Sequence, residues 1–243
     1  MDNTLVIIPT YKESENITLM IDTVLGDYPD IHLLVVDDNS PDGTGNQVTE
    51  KMQEYPERLF LETRLKKQGL GTAYIHGFKW ALKKQYEYVF EMDADFSHNP
   101  KDIQLLYEAC SLHGADLAIG SRYVRGVNVV NWPMSRVLLS YVASKYVRLI
   151  TRMDIHDTTA GFKCYRVSLL RKLDLDKIKF VGYAFQIEMK FKAYLLKAKI
   201  IEVPVIFTDR SRGQSKMSSG IINEAVTGIL SMKLKSLFGR LEL

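Results

Sequence analysis

Two aspartates separated by one residue form the sharpest chemical feature of the sequence. Asp93 and Asp95 come directly after a short apolar run, residues 88–92, that predicts a buried strand. Alternate residues of an extended chain point to the same side, so the two carboxylates would repel each other unless a cation lay between them. Hard divalent cations such as Mg²⁺ or Mn²⁺ prefer such oxygen ligands and often bridge to phosphate. The alternative is a solvated acidic turn that caps the following helix.

A second polar run, residues 37–44, follows another apolar strand pattern. Its Asp, Asn, Ser, Pro and Gly residues all favour turns, so a plain turn would explain it. Its carboxylates, among them Asp37 and Asp38, could also accept hydrogen bonds from the N–H and O–H groups of a base or a ribose. The local sequence leaves both interpretations open.

The second half of the chain holds basic residues that could bind phosphate. They are Arg122, Arg125, Arg136, Arg210, Arg212 and Lys216. Arg122 follows a predicted strand directly, whereas the last three lie in a loop of small residues at 209–216. Arginine offers a planar fork to phosphate oxygens, and a loop of this kind can fold over a diphosphate. A basic loop considered alone is more often simply solvated, so its context decides between the two.

Strand and helix patterns alternate through the first 120 residues and predict the frame that positions these groups. Strands are predicted at 5–8, 33–36, 59–62, 88–92 and 117–120, and helices at 15–25, 45–54, 71–85 and from 99 onward. This alternation predicts an α/β fold with a mostly parallel sheet and helices on both faces. Ligands bind beyond the carboxyl ends of such strands, where the polar runs at 9–13, 37–40 and 93–95 fall. No G-x-G-x-x-G motif follows the first strand, which disfavours a dinucleotide-binding fold of the Rossmann type.

The rest of the chain predicts one domain with a different second half. Helices are predicted at 135–153, 186–196 and 218–237, and a strand at 200–207 carries Pro204, which favours an edge or bulged strand. We found no internal repeat or low-complexity linker, so residues 1–243 are interpreted as a single domain. The helices at 135–153 and 218–237 mix apolar with basic residues, as helices lying on a membrane surface do. Ordinary packing within the domain explains that mixture equally well.

Composition excludes some classes of protein. The net charge of +3, from 32 basic and 29 acidic residues, is too mild for nucleic-acid binding, and the basic residues are not interleaved with aromatic stacking platforms. Cys110 and Cys164 have no partner at metal-ligand spacing, so buried free thiols are expected. We expect no membrane-spanning helix and no signal peptide, and hence a cytosolic protein that would act on a membrane only at its surface.

Eight sequence blocks then occur in a fixed order. They are Pro9-Thr10-Tyr11-x-Glu13-x-x-Asn16, Val35-Val36-Asp37-Asp38-x-Ser40-x-Asp42-Gly43-Thr44, Gly69-Leu70-Gly71-x-Ala73-Tyr74-x-x-Gly77, Met92-Asp93-Ala94-Asp95-x-Ser97-His98, Gly120-Ser121-Arg122-Tyr123, Gly161-Phe162-x-x-Tyr165-Arg166, Gly182-Tyr183-Ala184-Phe185-Gln186-Ile187-Glu188 and Arg210-x-x-Gly213-x-Ser215-Lys216. With these blocks, residues 4 to about 220 resemble the dolichyl-phosphate (polyprenyl-phosphate) mannose synthases, which are inverting family 2 glycosyltransferases of the GT-A fold. The blocks are specific to that superfamily and less specific to mannose.

The resemblance implies a reaction and its participants. The chain would transfer mannose from GDP-mannose to polyprenyl phosphate with inversion, using Mg²⁺ or Mn²⁺. Residues up to about 125 would bind the nucleotide sugar, about 126–217 the acceptor, and 218–243 would form an amphipathic C-terminal helix. The lipid acceptor implies a cytoplasmic protein that is peripheral at the cytoplasmic face of a membrane, and a membrane-anchoring partner is a further option.

Roles for the donor-binding residues follow from the same resemblance. The nucleoside pocket would be lined by Pro9, Tyr11, Glu13, Asp37 and Asp38. The metal and the donor diphosphate would be bound by Asp93, Ala94 and Asp95. Ser97 stands where the family often has Gln as a third metal ligand, so water could complete the metal's shell. Arg210 and Lys216 match a mobile loop that closes on the donor.

On the acceptor side, Arg122, Arg136 and Ser140 match positions that hold the acceptor phosphate. Asp95, Arg122 and Arg136 would therefore be the catalytic residues. Two places depart from the family pattern: Gly126-Val127 replaces a frequent Gly-Gly, and Ala160 replaces the Ser of an Asp-x-Thr-Ser-Gly-Phe block. Neither departure removes a charged group, so we expect them to change the shape of the acceptor loop and not the reaction type.

Three other functions remain as alternatives. A polyprenyl-phosphate glucose synthase would use UDP-glucose as its donor. Transfer to a sugar hydroxyl would need a general base, for which Glu188 is the candidate. A non-catalytic binder of nucleotide sugar or lipid phosphate is disfavoured by the intact Asp93, Asp95 and Arg122.

Overall fold

The computed structural model describes residues 1–209, 219–239 and 241–243, except for the side chains of Tyr183 and of residues 219–226. The strands in these residues are β1 Thr4–Thr10, β2 Ile31–Asp37, β3 Leu59–Thr63, β4 Tyr88–Glu91, β5 Leu117–Ser121, β6 Val129–Val130, β7 Lys163–Arg166, β8 Ile200–Pro204 and β9 Phe207–Thr208. The α-helices are α1 Ile17–Asp27, α2 Thr44–Lys51, α3 Leu70–Leu82, α4 Ile103–Ser111, α5 Met134–Thr151, α6 Val167–Leu170, α7 Tyr183–Leu195 and α8 Ser219–Leu237. Single 3-10 turns span Pro100–Asp102 and Leu175–Lys177.

The main sheet has the strand order β3-β2-β1-β4-β7-β5-β8. Every neighbouring pair is parallel except those made by β7, which is antiparallel to both β4 and β5. The mostly parallel α/β sheet predicted from the alternating pattern is therefore confirmed. The carboxyl ends of β1, β2, β4 and β5 lie at one edge, and the amino end of β7 meets them there.

Helices cover both faces of the sheet, which explains why its strands are continuous apolar runs. In β1, Leu5 and Ile7 enter one core cluster, together with residues of α3, α5, α7 and α8. Val6 and Ile8 point to the opposite cluster, which contains α1 and α4. Because successive side chains of a strand alternate between faces, four consecutive apolar residues supply both cores at once.

Glycines allow α3 to approach its neighbours closely. A Cβ atom on Gly77 would lie 2.7 Å from Cγ2 of Ile7, and a Cβ atom on Gly71 would lie 2.7 Å from Cγ of Phe185 in α7. Both distances are shorter than a carbon–carbon contact. Any larger residue would push α3 away from β1 or from α7.

Several elements differ from the sequence prediction. The strand β7 was not predicted, because it begins with Lys163 and ends with Arg166 instead of forming an apolar run. The predicted strand at 200–207 divides into β8 and β9, since Pro204 has no N–H to continue the ladder. As predicted, β8 lies at the sheet edge. The strand β9 instead pairs with β6 in a separate two-stranded ribbon.

Among the described helices, none has both the length and the apolar character needed to cross a bilayer.

Candidate active site

Two loops at the carboxyl ends of β1 and β2 are joined by a row of hydrogen bonds. The backbone N–H of Lys12 donates to Oγ of Ser40 at 3.0 Å, and that of Glu13 donates to Oγ1 of Thr44 at 3.1 Å. The next N–H, of Ser14, donates to Oδ2 of Asp42 at 3.2 Å. Three successive N–H groups of the first loop are thus bound by side chains of the second. The predicted nucleoside-pocket residues lie on this joined pair of loops and on the strand ends that lead into them: Pro9, Tyr11, Glu13, Asp37 and Asp38.

The two neighbouring aspartates of the second loop have different surroundings. Asp37 is buried, and its carboxylate accepts hydrogen bonds from Oγ1 of Thr10 at 2.7 Å and from Oγ and N of Ser40 at 2.6 and 2.9 Å. Asp38 is paired through Oδ1 with the guanidinium of Arg64 at 2.5 Å. Within the described residues, Oδ2 of Asp38 accepts no hydrogen bond. Asp37 therefore fixes the loop, while Asp38 keeps an oxygen that a ligand could use.

The ring of Tyr11 borders the same loops. The Nζ atom of Lys67 lies 4.6 Å from its ring centroid, within the range of a cation–π contact. Arg64, which pairs with Asp38, also donates to Oγ1 of Thr72 at 2.8 Å, so the segment between them is tied to the first turn of α3. Neither Arg64 nor Lys67 was singled out from the sequence, because a single basic residue before a turn carries no local signal.

The Asp93-Ala94-Asp95 motif directly follows β4, at the same edge of the sheet. Oδ1 of Asp93 accepts a hydrogen bond from the hydroxyl of Tyr74 at 3.2 Å. Oδ1 of Asp95 accepts hydrogen bonds from N and Oγ of Ser97 at 3.1 and 2.5 Å. Burial, and secondly the charge of Asp93, raises the pKa of Tyr74 well above its usual value, so its hydroxyl stays a hydrogen-bond donor. The three predicted metal ligands therefore lie in one turn.

The donor set of this turn fits a hard divalent cation. Asp93 and Asp95 offer carboxylate oxygens and Ser97 a hydroxyl, which are ligands that Mg²⁺ and Mn²⁺ accept. Within residues 1–209, 219–239 and 241–243, no three side chains of His, Cys, Asp or Glu gather into a metal-binding group. A cation here would therefore need oxygens from a bound ligand or from water as well as the two carboxylates, as Mg²⁺ commonly does.

Left-handed backbone at non-glycine residues marks all three loops. Lys12, Asn39 and Phe96 have φ values of 58°, 54° and 58°. This conformation costs an L-residue about 1–2 kcal/mol, with asparagine the most tolerant. Backbone strain of this kind clusters at functional sites, where the surrounding contacts hold it in place. The strained residues therefore lie in the same loops whose polar side chains made them candidate binding residues in the sequence analysis.

The Asp93–Asp95 turn is joined to the second half of the chain through His98 and β9. The His98 ring is buried, stacks on Phe162 at 5.1 Å between centroids, and meets Phe207 edge-on at 5.4 Å. Burial lowers the pKa of His98 to about 4, so the ring is neutral near pH 7. Its Nδ1 accepts the N–H of Asp93 at 3.2 Å, and the N–H of Thr208 donates to the carbonyl of Ser97 at 3.4 Å.

Arg122 directly follows β5 and is held by a buried carboxylate. Its Nε and NH2 atoms donate to the two oxygens of Asp157 at 2.6 Å each, and NH2 also donates to Oγ1 of Thr159 at 2.8 Å. Burial of Asp157 opposes its ionisation, but the charge and hydrogen bonds of Arg122 outweigh that effect and hold the pKa of Asp157 below its usual value. The guanidinium of Arg122 is thereby fixed in one orientation.

Arg122 and Arg136 meet on one indole ring. The guanidinium carbon of Arg136 lies 4.0 Å from the ring centroid of Trp132, and that of Arg122 lies 5.3 Å from it. Arg136 also donates to Oδ1 of Asp209 at 2.7 Å. The structure therefore brings together two arginines that are separated by a helix turn, a strand and a loop in the sequence. Trp132 was not singled out from the sequence, although an aromatic ring two to four residues from an arginine is a usable signal.

Polar atoms without partners lie beside the two arginines. The Tyr123 hydroxyl and the Trp132 indole nitrogen are buried, and neither has a hydrogen-bond partner of good geometry among the described residues. Arg122 contacts both rings. Ser140 lies close enough to the Tyr123 hydroxyl to lower its pKa, although burial, the larger influence, raises that pKa overall. A buried polar atom without a hydrogen bond costs free energy. A bound ligand that accepts hydrogen bonds from these two groups would remove that cost.

The remaining candidates differ in what the structure says of them. Arg125 is exposed. Glu188, the possible base for a hydroxyl acceptor, is buried, and its Oε2 accepts the N–H groups of Lys179 and Phe180 at 2.9 and 3.0 Å. These bonds give Glu188 a structural role and disfavour that alternative. Arg210, Arg212 and Lys216 lie outside the described residues.

Comparison with known proteins identifies the family. The sequence model described as Glycosyl transferase family 2 matches residues 5–174. The chain belongs to glycosyl transferase family 2. It is therefore a glycosyltransferase by family, as the sequence blocks predicted.

Two mannosyl-transferring relatives match nearly the whole chain. The chain is 45% identical to a polyprenol monophosphomannose synthase of Mycolicibacterium smegmatis, over 98% of this chain and 89% of that protein. It is also 45% identical to an undecaprenyl-phosphate mannosyltransferase of Micrococcus luteus, over 93% of this chain and 91% of that protein.

A solved structure confirms the fold. The crystal structure of glucosyl-3-phosphoglycerate synthase from Mycobacterium tuberculosis, in complex with Mn²⁺, uridine diphosphate and phosphoglyceric acid, superposes with a TM-score of 0.68. The two sequences are 16% identical, and the match covers 96% of this chain and 77% of that one. At this identity the likeness concerns the GT-A fold alone, which agrees with the predicted fold class.

Proposed function

We propose that this family 2 glycosyltransferase transfers mannose from GDP-mannose to a polyprenyl phosphate with inversion at the anomeric carbon. The observation that carries the proposal is the meeting of Arg122 and Arg136 on Trp132, across β9 from the Asp93–Asp95 turn. The two arginines suit a phosphate monoester. The Asp93–Asp95 turn, with a divalent cation, suits a nucleotide diphosphate. The activities of the two 45% identical relatives, a polyprenol monophosphomannose synthase and an undecaprenyl-phosphate mannosyltransferase, support both the sugar and the lipid class.

The donor half would bind the nucleotide along the loops after β1 and β2. Asp38 keeps an oxygen for the nucleoside, and Tyr11 borders the same loops. A divalent cation, Mg²⁺ or Mn²⁺, would be held by Asp93 and Asp95 with Ser97 beside them. When bound, it supplies charge stabilisation to the leaving diphosphate. The hydrogen bonds from Tyr74 and Ser97 orient the two carboxylates for that role.

The acceptor half would position its anion without removing a proton. A phosphate monoester is already ionised near neutral pH, so its oxygen can attack the anomeric carbon directly. Arg122 and Arg136 would orient it, and the unpartnered Tyr123 hydroxyl and Trp132 N–H would donate further hydrogen bonds. Fixed orientation of a reactant accounts for a large part of catalysis in such displacements. Ser140 lies near Tyr123 and belongs to the same proposed pocket.

We also propose that the lipid is met at a membrane surface. Helix α5, which carries Arg136 and Ser140, exposes Met134, Leu138 and Val142 at intervals of four residues, with relative exposures of 70%, 56% and 60%. Such an apolar stripe on a helix with basic residues matches helices that lie in the interface of a bilayer. The cytoplasmic face, and a membrane-anchoring partner, remain part of this proposal.

The deciding experiment is transfer of labelled sugar to a short-chain polyprenyl phosphate, with GDP-mannose and UDP-glucose compared in Mg²⁺, Mn²⁺ and EDTA. We expect metal-dependent transfer from GDP-mannose. Transfer from UDP-glucose alone would replace mannose by glucose in the proposal. An absence of transfer from either donor, with donor binding intact, would refute the proposed acceptor class.

A further inference from the structure

Residues 156–160 form a segment without regular secondary structure that accepts hydrogen bonds from Arg122. It lies between α5 and β7 and carries Asp157, whose carboxylate takes both hydrogen bonds of the Arg122 fork. The backbone N–H of Arg122 also donates to Asp157 at 2.9 Å. Because this segment has no helix or sheet ladder of its own, side chains from elsewhere must hold it.

Glu202 of β8 binds the first part of this segment. Its Oε1 accepts the N–H of Asp157 at 2.8 Å, and its Oε2 accepts N and Nδ1 of His156 at 2.7 and 2.9 Å. Oε1 also accepts the hydroxyl of Ser121, the residue before Arg122, at 2.7 Å. One carboxylate therefore ties the segment to the end of β5.

Lys190 of α7 binds the second part. Its Nζ donates to the carbonyls of Thr158 at 3.0 Å and of Ala160 at 2.7 Å, and the whole residue is buried. A buried lysine amino group is expensive unless it is hydrogen-bonded. An apolar side chain would fill this place in α7 at a lower cost, so the lysine calls for an explanation beyond packing.

We infer that Glu202 and Lys190 are positioning residues that clamp residues 156–160 from two sides and thereby hold Asp157 and Arg122 in the geometry needed for the acceptor. Glu202 takes N–H groups of the segment, and Lys190 takes its carbonyls. The two residues belong to different elements, since Glu202 lies in β8 and Lys190 in α7. The consequence for acceptor use rests on the proposed function, whereas the placement of Arg122 can be tested without it.

Helix α7 supplies a matched control for Lys190. Lys192 is also buried, and its Nζ donates to a main-chain carbonyl, that of Lys177 at 3.3 Å. That carbonyl lies in a 3-10 turn outside the clamped segment. Replacing Lys192 therefore removes a comparable buried lysine from the same helix without touching residues 156–160.

The direct test observes Arg122 through the fluorescence of Trp132. The chain has two tryptophans, and Trp80→Phe leaves Trp132 as the remaining one. In that background we expect Lys190→Met and Glu202→Gln to shift the Trp132 emission, because the guanidinium of Arg122 leaves the ring, while Lys192→Met leaves the emission unchanged. Emission unchanged in both clamp variants would overturn the inference.

The kinetic test separates acceptor from donor. We expect Lys190→Met and Glu202→Gln to raise the KM for a short-chain polyprenyl phosphate by about 10-fold to 100-fold, while the Kd of GDP-mannose changes by less than about 2-fold. Equal losses in acceptor use and in donor binding, or the same loss in Lys192→Met, would indicate general damage and overturn the inference.

Glu202→Gln keeps the size and one acceptor oxygen of the side chain, so it decides between the outcomes if Lys190→Met does not fold. If the wild-type protein transfers nothing to the lipid phosphate, the proposed function fails, and the fluorescence test still decides the clamp.

Discussion

Arg122 and Asp157 form a two-bond fork with both N–O distances at 2.6 Å, and their side chains are 9% and 0% exposed. A pair so deeply buried is costly to desolvate, and it contributes little net stability when compared with an apolar pair. Removing one member is a different matter, since it leaves a charge buried without its partner. The pair therefore specifies a geometry more than it stabilises the fold.

Asp157→Asn should lower the free energy of unfolding by about 3–5 kcal/mol, because the buried guanidinium of Arg122 loses its counter-charge. Urea denaturation followed by circular dichroism measures this change. Asp154→Asn is the control: Asp154 pairs with Arg148 at 2.9 Å but is 90% exposed, so its loss should cost less than about 1 kcal/mol. Similar losses for the two variants would contradict the special status of the buried fork.

The same carboxyl should make stability depend on pH in the acid range. Asp157 has a lower pKa in the folded protein than its usual 3.8, so the unfolded chain binds a proton there before the folded one does. The contribution is complete above 3.8 and is lost as the pH falls through the folded-state value. The difference in unfolding free energy between wild type and Asp157→Asn should be constant from about pH 5 to pH 8 and shrink below about pH 4. A difference that does not vary with pH would show that the folded-state pKa is not lowered.

Arg136→Ala should weaken the use of the acceptor and leave donor binding intact. Arg136 contacts Trp132 and Asp209, and its side chain is 30% exposed, so the fold does not depend on it. We expect the KM for polyprenyl phosphate to rise by about 10-fold or more, from the loss of a charge-assisted hydrogen bond. Arg148→Ala, on the same helix and paired with the exposed Asp154, is the control. Loss of GDP-mannose binding in Arg136→Ala would instead place this arginine on the donor.

Asp95→Ala should abolish turnover, because it removes one of two carboxylates in the proposed metal turn. Loss of a preorganised electrostatic group of this kind costs at least about 100-fold in rate. Initial rates over a range of Mg²⁺ and Mn²⁺ concentrations measure the effect. Asp30→Ala, before β2 and 58% exposed, should retain wild-type activity. Full activity of Asp95→Ala would remove the basis for a metal site at this turn.

Gly71→Ala should destabilise the protein by about 1–3 kcal/mol, because its Cβ would overlap the Phe185 ring where α3 meets α7. Gly26→Ala is the control, since a Cβ there would have no atom within 4 Å and alanine favours the helix. Urea midpoints of the two variants give the comparison. A Gly71→Ala protein as stable as the wild type would mean that α3 and α7 can separate without cost.

The meeting of the polar turns after β1, β2 and β4 at one edge of the sheet could be predicted from the sequence, and physical reasons explain why. The strands β1, β2 and β4 are apolar runs followed at once by polar turns, and parallel sheets bring such turns to one edge. Asp93 and Asp95 could therefore be assigned to one side of a site from spacing alone. The assignments of individual ligands remain predictions.

The surroundings of Arg122 were harder to predict, because the contacts there join distant parts of the chain. Asp157 meets Arg122 across 35 positions, and no local pattern pairs them. The strand β7 was missed for a related reason. Lys163 at its start is fully buried but pairs with Glu91 of β4 at 3.1 Å, so a core position carries a charge that the hydrophobic pattern cannot register. Hydrophobic periodicity cannot reveal a charged residue that is buried because it pairs with a residue far away in the sequence.

The reversed strand β7 also acts as a spacer of fixed width. Because it lies between β4 and β5, the Asp93–Asp95 turn and Arg122 leave the sheet two strand spacings apart, about 10 Å. Backbone hydrogen bonds set this separation, and no side chain can shorten it. The separation of these two strand ends is therefore a property of the sheet, and substitutions in the loops that follow them would leave it unchanged.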